Sequence, residues 1–324
     1  MMKKSKFFLV CAAVVGFAFA FVACNFFNNE DESSSSGGSS SEDSLSAGFV
    51  EISGAHFDGA STLTPYSDVF RKGRVIDIKN LYVSDHETTQ AEYEKYCNYG
   101  GSESSRPDDT YGKGDNYPVY CVSYYDALVY CNLRSEAEGL TPCYSMNGDT
   151  DVAKWTGIVS SGGKYCGPAT EQRSQDDPWN LITYNFDANG YRLPTEAEWE
   201  YLARSDGQNS VTEYKYSGSD DIDYVAWYSE NSQNKVHEVK MKNSNEAGLY
   251  DMSGNVREWC YDWYGTITAS SNETGAESGT ARVSRGGTVT AGSAKYFCEV
   301  NCRSYTSPYL RYPDLGFRVV RTAK

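Results

Sequence analysis

Apolar and polar positions divide the chain into three stretches. Residues 7–22 form an apolar run with small residues, preceded by Lys3, Lys4 and Lys6. A positive segment followed by a short apolar one predicts an export signal, and the run is shorter than a comfortable membrane span. Residues 25–46 are polar, with serines and glycines filling 33–41. Such a segment has little to bury and predicts a flexible tether. From residue 48 onward, alternation predicts strands at 50–57 and 77–83. Thr88 or Thr89 is placed to cap a helix whose inner face carries Tyr93 and Tyr96. Residues 117–123 predict a strand leading into a second helix. In that helix Ser123 is the cap, Asp126 sits at the third position, and Ala127, Val129, Tyr130 and Leu133 recur at helical spacing. Residues 140–190 are irregular and rich in Gly, Asp and Asn, which predicts surface loops. Pro194 then ends a strand, Thr195 caps a third helix, Glu198 completes a capping box, and Trp199 and Leu202 face inward.

Composition sharpens this picture. The chain has 324 residues, with 27 Tyr, 6 Trp and 29 Gly. Many aromatics among many glycines point to a loop-rich α+β domain and away from a helical bundle. Removing the signal and tether leaves about 275 residues, enough to bury a core unaided. The net charge is −15, and loss of Lys3, Lys4 and Lys6 with the signal makes it about −18. An acidic surface of this kind excludes nucleic acid as the partner, because phosphate binding needs a basic stripe. With no internal repeat or heptad pattern, a monomer is expected.

The cysteines set the compartment. Phe21-Val22-Ala23-Cys24 closes the apolar run. Small residues before a cysteine resemble a lipobox, which would make Cys24 the lipidated N-terminus. The expected organisation is a signal at 1–23, a tether at 24–47 and one domain at 48–324. The domain would be held to a bacterial outer membrane or cell surface through the lipid on Cys24. Eight cysteines remain beyond Cys11 and Cys24: Cys97, Cys121, Cys131, Cys143, Cys166, Cys260, Cys298 and Cys302. Export permits disulfides and an even count invites them, but their pairing cannot be read from spacing. There is no Cys-x-x-Cys, and His56, His86 and His237 stand apart, so a structural zinc site is not expected.

Four runs occur in a telling order. They are Arg192-Leu193-Pro194-Thr195-Glu196-Ala197-Glu198-Trp199-Glu200, then Gly248-Leu249-Tyr250-Asp251-Met252-Ser253-Gly254-Asn255-Val256-Arg257-Glu258-Trp259, then Arg285-Gly286-Gly287, and finally Gly316-Phe317-Arg318-Val319. Together they resemble the formylglycine-generating-enzyme, or sulfatase-modifying-factor, family. The resemblance spans about residues 48–322. It implies a C-type-lectin-like α+β fold with much irregular loop, in which the N- and C-terminal strands pair. It also implies that Asn255, the carbonyl of Val256 and Glu258 could hold a structural calcium ion, as hard oxygen donors do. No other cofactor is expected.

The same resemblance tests for catalysis. The family's enzymes bind copper with two cysteines placed after the Arg-Gly-Gly run, because soft thiolates suit cuprous ion. In this chain those positions fall near Thr290 or Ala291 and near Lys295 or Tyr296, and none is cysteine. Cys298 and Cys302 lie too close to Arg303 and have a different spacing. The expectation is therefore a protein that is not an enzyme.

Residues 288–315 mix small, aromatic and polar side chains, and only Lys295 and Glu299 fall outside the set reachable by adenine-directed rewriting of pyrimidine-ending codons. This pattern resembles the variable proteins of diversity-generating retroelements, the treponemal ones in particular. That resemblance implies a diversified ligand-binding region at about 285–324. Its candidate contact residues are Val289, Ala291, Ser293, Tyr296, Phe297, Cys302, Ser304, Tyr305, Thr306, Tyr309, Leu310, Tyr312 and Asp314. Tyrosines offer much contact area at little entropic cost, as in antibody paratopes, so the expected ligand is a protein or a glycan. Two other functions stay open at this level: an oxidase acting on a cysteine, and a structural protein of the envelope.

Overall fold

The computed structural model describes residues 47–60, 67–100, 106–168, 176–208, 210–290 and 295–323. Strands β1 (Phe49–Ile52), β2 (Ala55–Phe57), β3 (Ile76–Ile78) and β4 (Leu81–Ser84) open it. All four residues of β4 are buried, so the strand needs a neighbour on each edge. On one edge it takes β1 antiparallel, with Val50 opposite Val83. The other edge takes the last strand of the domain, Val320–Thr322, with Val320 opposite the same Val83. The terminal strands thus meet through β4 and do not pair with each other directly.

Three helices form where their caps predict. Thr89, and not Thr88, caps α1 (Gln90–Tyr96), with Glu92 completing a capping box. Ser123 and Asp126 do the same for α2 (Tyr124–Ala137), and Thr195 and Glu198 for α3 (Glu196–Arg204). Eleven of the fourteen residues of α2 are buried, so it runs through the core. The one-turn α4 (Ile222–Val225) follows.

The stretch 117–123 is not a strand. Its backbone is shared among neighbours: Tyr117 O accepts from Gln90 N, Val119 N donates to Thr88 O, and Cys121 N donates to Tyr312 O. Cys121 adopts φ 57°, which breaks extended geometry. The long loop region carries only short ribbons. β5 (Tyr144–Ser145) pairs with β8 (Thr183–Tyr184), and β6 (Val159–Ser161) pairs with β7 (Lys164–Cys166).

The sheet that positions the site contains β9 (Arg257–Trp263), β10 (Arg282–Arg285), β11 (Ser304–Thr306) and β12 (Leu315–Gly316) in the order β11-β10-β9-β12. The closing strand of the first sheet is β13 (Val320–Thr322). Two large apolar clusters lie beneath these layers. One gathers Tyr93, Tyr124, Tyr130, Trp259 and Phe317, and the other Leu81, Val83, Trp199, Leu202 and Val283. Among the described residues no helix is long and apolar enough to cross a membrane.

Candidate functional site

The C-terminal segment is held by arginines that reach into the core. The Arg285 side chain is fully buried and pairs with Glu200 and Glu196 of α3. Arg303 grips Glu196 with Nε and Nη2, both at 2.7 Å. Arg311 grips Asp126 at the start of α2, at 2.8 and 3.0 Å. Arg318 grips Glu258 of β9, with Nη2 2.7 Å from Oε1. Forked guanidinium–carboxylate pairs fix orientation as well as distance. Each anchor therefore sets the path of the chain on either side of it.

Between the anchors, tyrosines reach solvent. Tyr296 is 53% exposed, Tyr305 60% and Tyr312 41%. Tyr296 leans on Phe297, with ring centroids 4.2 Å apart, and Tyr305 leans on Tyr264 at 4.5 Å. The Arg257 guanidinium lies 5.8 Å from the Tyr312 ring centre. Beside them is a hollow of about 150 Å³ lined by Arg257, Arg285, Gly287, Thr288, Phe297, Cys302, Ser304 and Asp314. Its floor is ordered, because Asp314 accepts from Arg257 Nη2 at 2.8 Å and from the Thr290 hydroxyl at 3.1 Å.

Four of the expected contact residues therefore meet at one hollow: Phe297, Cys302, Ser304 and Asp314. Tyr309 and Leu310 are half-buried, and Tyr309 packs on the core around α2. Three expectations of exposure are corrected, the first being Asp314, which is 8% exposed with its carboxylate held by Arg257 and Thr290. Val289 is wholly buried with Tyr120, Cys121, Val236 and Val256, because its N–H bonds Asn255 O and draws the segment inward. Thr306 is 5% exposed and its hydroxyl accepts from Arg257, so it supports the site from beneath. Ala291, Ser293 and Cys24 lie outside the described residues. Sequence reasoning missed Arg257 and Thr288. Strand alternation could have found Arg257: if Glu258 faces inward, its neighbour must face the hollow.

Thiol chemistry is subdued here. All eight described cysteines are free thiols, and seven of them are buried. Burial pushes Cys298 up to about 12, and burial also raises Cys302. Neither is a ready thiolate at neutral pH. Of the positions expected to match the family's copper ligands, Thr290 bonds Asp314, Lys295 pairs with Glu230 at 3.0 Å and Tyr296 is exposed, while Ala291 lies outside the described residues. A native thiol titration with an aromatic disulfide should therefore modify Cys302 first and slowly, with the buried thiols reacting only on unfolding. Rapid native labelling of two thiols would contradict this arrangement.

The expected calcium donors do not fit a cation. Both oxygens of Glu258 accept from Arg318, and Oε2 also accepts from Trp199 Nε1 at 2.8 Å. Asn255 Oδ1 accepts from His237 N at 3.0 Å, while its amide donates to Glu87 at 2.7 Å. A cation at these donors would have to displace a buried guanidinium. Burial, with Asp251 and Glu258 nearby, holds Glu87 well above the usual carboxylate range.

Asp251 is raised to about 6, chiefly by burial, and its Oδ1 has no hydrogen-bond partner. An ordinary aspartate ionises near 3.8. Between the two values the native chain keeps a proton that the unfolded chain has released, so stability is lost as pH rises through that window. Asp251→Asn keeps an acceptor for Lys240 N and suits the φ of 58° at this position. It should melt higher than the parent at about pH 8 and show no gain at about pH 4. Equal melting temperatures at both values would refute the buried-charge account.

The comparisons with known proteins agree with this geometry. The family described as "Sulfatase-modifying factor enzyme 1-like domain" matches residues 40–323. A Paenibacillus barcinonensis protein named "Chaperone protein LppX" is 32% identical, over 99% of this chain and all of its own length. The formylglycine-generating enzyme of Bos taurus is 27% identical, over 76% of this chain and 66% of its own. Among solved structures, Treponema denticola variable protein 1 superposes with a TM-score of 0.65 at 29% identity, covering 85% of this chain and 95% of that one. The structure titled CarF gives 0.59 at 23% identity, covering 86% and 100%, and supports the fold alone. The relatives thus include proteins named as enzymes and one named a variable protein. The runs at 192–200, 248–259, 285–287 and 316–319, the C-type-lectin-like α+β fold they build and the match over nearly the whole domain show one thing together: this chain belongs to the sulfatase-modifying-factor, or formylglycine-generating-enzyme, family.

Proposed function

We propose that the chain is a non-catalytic, lipid-anchored envelope protein that binds ligands through the face built by residues 285–324. In this reading residues 1–23 are removed, Cys24 carries the lipid, residues 24–47 tether the domain to an outer membrane or cell surface, and 48–324 bind a protein or glycan as a monomer. No cofactor takes part.

One observation carries the reading. Tyr296, Tyr305 and Tyr312 are exposed between arginines whose charged ends are anchored on buried carboxylates. Anchored points separated by exposed ones let side chains change without moving the frame, since surface substitutions cost little. The likeness to a treponemal variable protein supports the same use of this segment.

The test pairs binding with turnover. The purified full chain is passed over arrays of surface proteins and glycans beside a Tyr296→Ser/Tyr312→Ser variant of equal melting temperature. A ligand bound by the parent and lost by the variant supports the proposal. Oxidation of a cysteine-bearing peptide by the copper-loaded parent would overturn it in favour of an oxidase.

The end-to-end similarity to a protein named a chaperone favours a second reading, in which the same face holds a non-native client. Suppression of the aggregation of an unfolding enzyme, abolished in the tyrosine variant, would select that reading.

A further inference from the structure

A second hollow, of about 300 Å³, is lined by Asp68, Arg71, Tyr264, Gly265, Thr266, Ile267 and Arg303. We infer that it is a subsite for a neutral pyranose, with the ring of Tyr305 beside it as a stacking ledge. This goes beyond the reading above and does not require the segment 285–324 to vary.

The walls are rigid. Arg71 Nη1 donates to the carbonyl of Ile267, and the neighbouring Arg74 donates to the carbonyls of Ser271 and Asn272. These bonds clamp the loop at 67–74 to the loop at 264–272. On the opposite wall Arg303 donates to Gly265 O at 3.1 Å while both arms hold Glu196. A hollow whose walls are fixed in advance binds with a smaller ordering cost.

The lining suits a polyhydroxylated ring. Asp68 is exposed and can only accept when ionised, the remaining N–H groups of Arg71 can only donate, and the Thr266 hydroxyl does both. A pair of adjacent sugar hydroxyls can satisfy an acceptor and a donor side by side. The opposite charges of Asp68 and Arg71 balance, which favours a neutral ring over a uronic acid or a peptide carboxylate. Strand alternation puts Tyr305 on the same face as Arg303, and its ring rests on Tyr264, itself a wall of the hollow. With 60% of its surface exposed, Tyr305 offers, beside Tyr264, a flat apolar face for the C–H side of a sugar. The volume sits at the lower end for small-ligand sites, which suits one ring and not a peptide segment. Apart from Arg303, every lining residue lies outside 285–324, and Arg303 is committed to Glu196. The polar lining would therefore be the same in every diversified version of the protein, whereas the Tyr305 ledge lies within 285–324 and would change with that segment.

The test uses the full chain in a zwitterionic detergent and the methyl glycosides of glucose, galactose and mannose as probes, read by saturation-transfer NMR and calorimetry. Saturable binding to at least one probe is expected, with a Kd of about 1 mM. It should weaken by about tenfold in Arg71→Ala and in Asp68→Asn, and by a smaller factor in Tyr305→Ser. Melting temperatures should not change in Asp68→Asn and Tyr305→Ser, whose side chains are exposed, whereas Arg71→Ala also loses the clamp on Ile267 O and should melt slightly lower. Met241→Ser, at an exposed side chain that lines neither hollow, should bind as the parent does.

No saturable binding to any of the three glycosides would overturn the assignment. So would binding that survives the Asp68→Asn/Arg71→Ala double variant, or displacement of the sugar by a carboxylate-ended tripeptide at lower concentration. None of these outcomes bears on the ligand-binding face, which is tested separately through Tyr296 and Tyr312.

Discussion

Arg318→Leu should cost about 3–5 kcal/mol of unfolding free energy, the range for removing one partner of a buried ion pair. Arg318 and Glu258 are both fully buried. The guanidinium joins the two sheets: it holds Glu258 on β9 while donating to Ser84 O at the end of β4 and to Tyr250 O. It also faces an acidic interior, since Glu87 and Asp251 both act on it. Its loss would leave the buried Glu258 without its cationic partner, with Trp199 Nε1 as its remaining donor. Equilibrium unfolding in urea would read the loss as a lower midpoint with an unchanged slope. Adding Glu258→Leu should recover part of the stability, because the orphaned charge goes. The recovery cannot be complete, since Trp199 Nε1 then loses its acceptor. An Arg318→Leu variant as stable as the parent would mean that the anchors do not hold the site, and the proposed separation of a fixed frame from an exposed binding surface would fall with it.

Much of this frame could be read in the sequence, because its signals are local. Thr195 and Glu198 are three residues apart, so their reciprocal capping is visible in one turn of chain, and the same holds for Ser123 with Asp126. The order of the four runs was enough to imply the fold. What stayed hidden was set by partners far away in the chain. Arg303 and Glu196 are 107 positions apart, and Arg311 and Asp126 are 185 apart, so nothing nearby announces either pair. The inward turn of Val289 follows from a backbone bond to Asn255, which no side-chain pattern encodes. The calcium expectation failed for the same reason: Glu258 has the right chemistry for a cation, but its partner is a guanidinium 60 residues later. The second hollow was invisible because its walls come from the loops near 68 and 265 and from Arg303, and only folding brings them to one place.

The sharpest contrast expected is between one tryptophan and three tyrosines. Trp199→Ala should destabilise the domain by about 3–5 kcal/mol, as large aromatic truncations in cores do. The Trp199 ring is fully buried, its Nε1 donates to Glu258 at 2.8 Å, and the Arg285 guanidinium lies 5.3 Å from its centre. Truncation would open a cavity beneath the Arg-Gly-Gly turn, where the ring comes within 3.5 Å of the space a side chain at Gly286 would take. Replacing Tyr296, Tyr305 and Tyr312 together by Ser removes more aromatic surface in total. It should nevertheless change stability by no more than about 0.5 kcal/mol per site, because about half of that surface is already in water. Thermal and urea unfolding of the two variants side by side measure the difference directly. A diversified binding face needs this inequality, since a chain that rewrites its own contact residues survives only if folding does not depend on them. If the triple variant proved as unstable as Trp199→Ala, the tyrosines would belong to the core, and residues 295–312 would be a structural element with no freedom to vary.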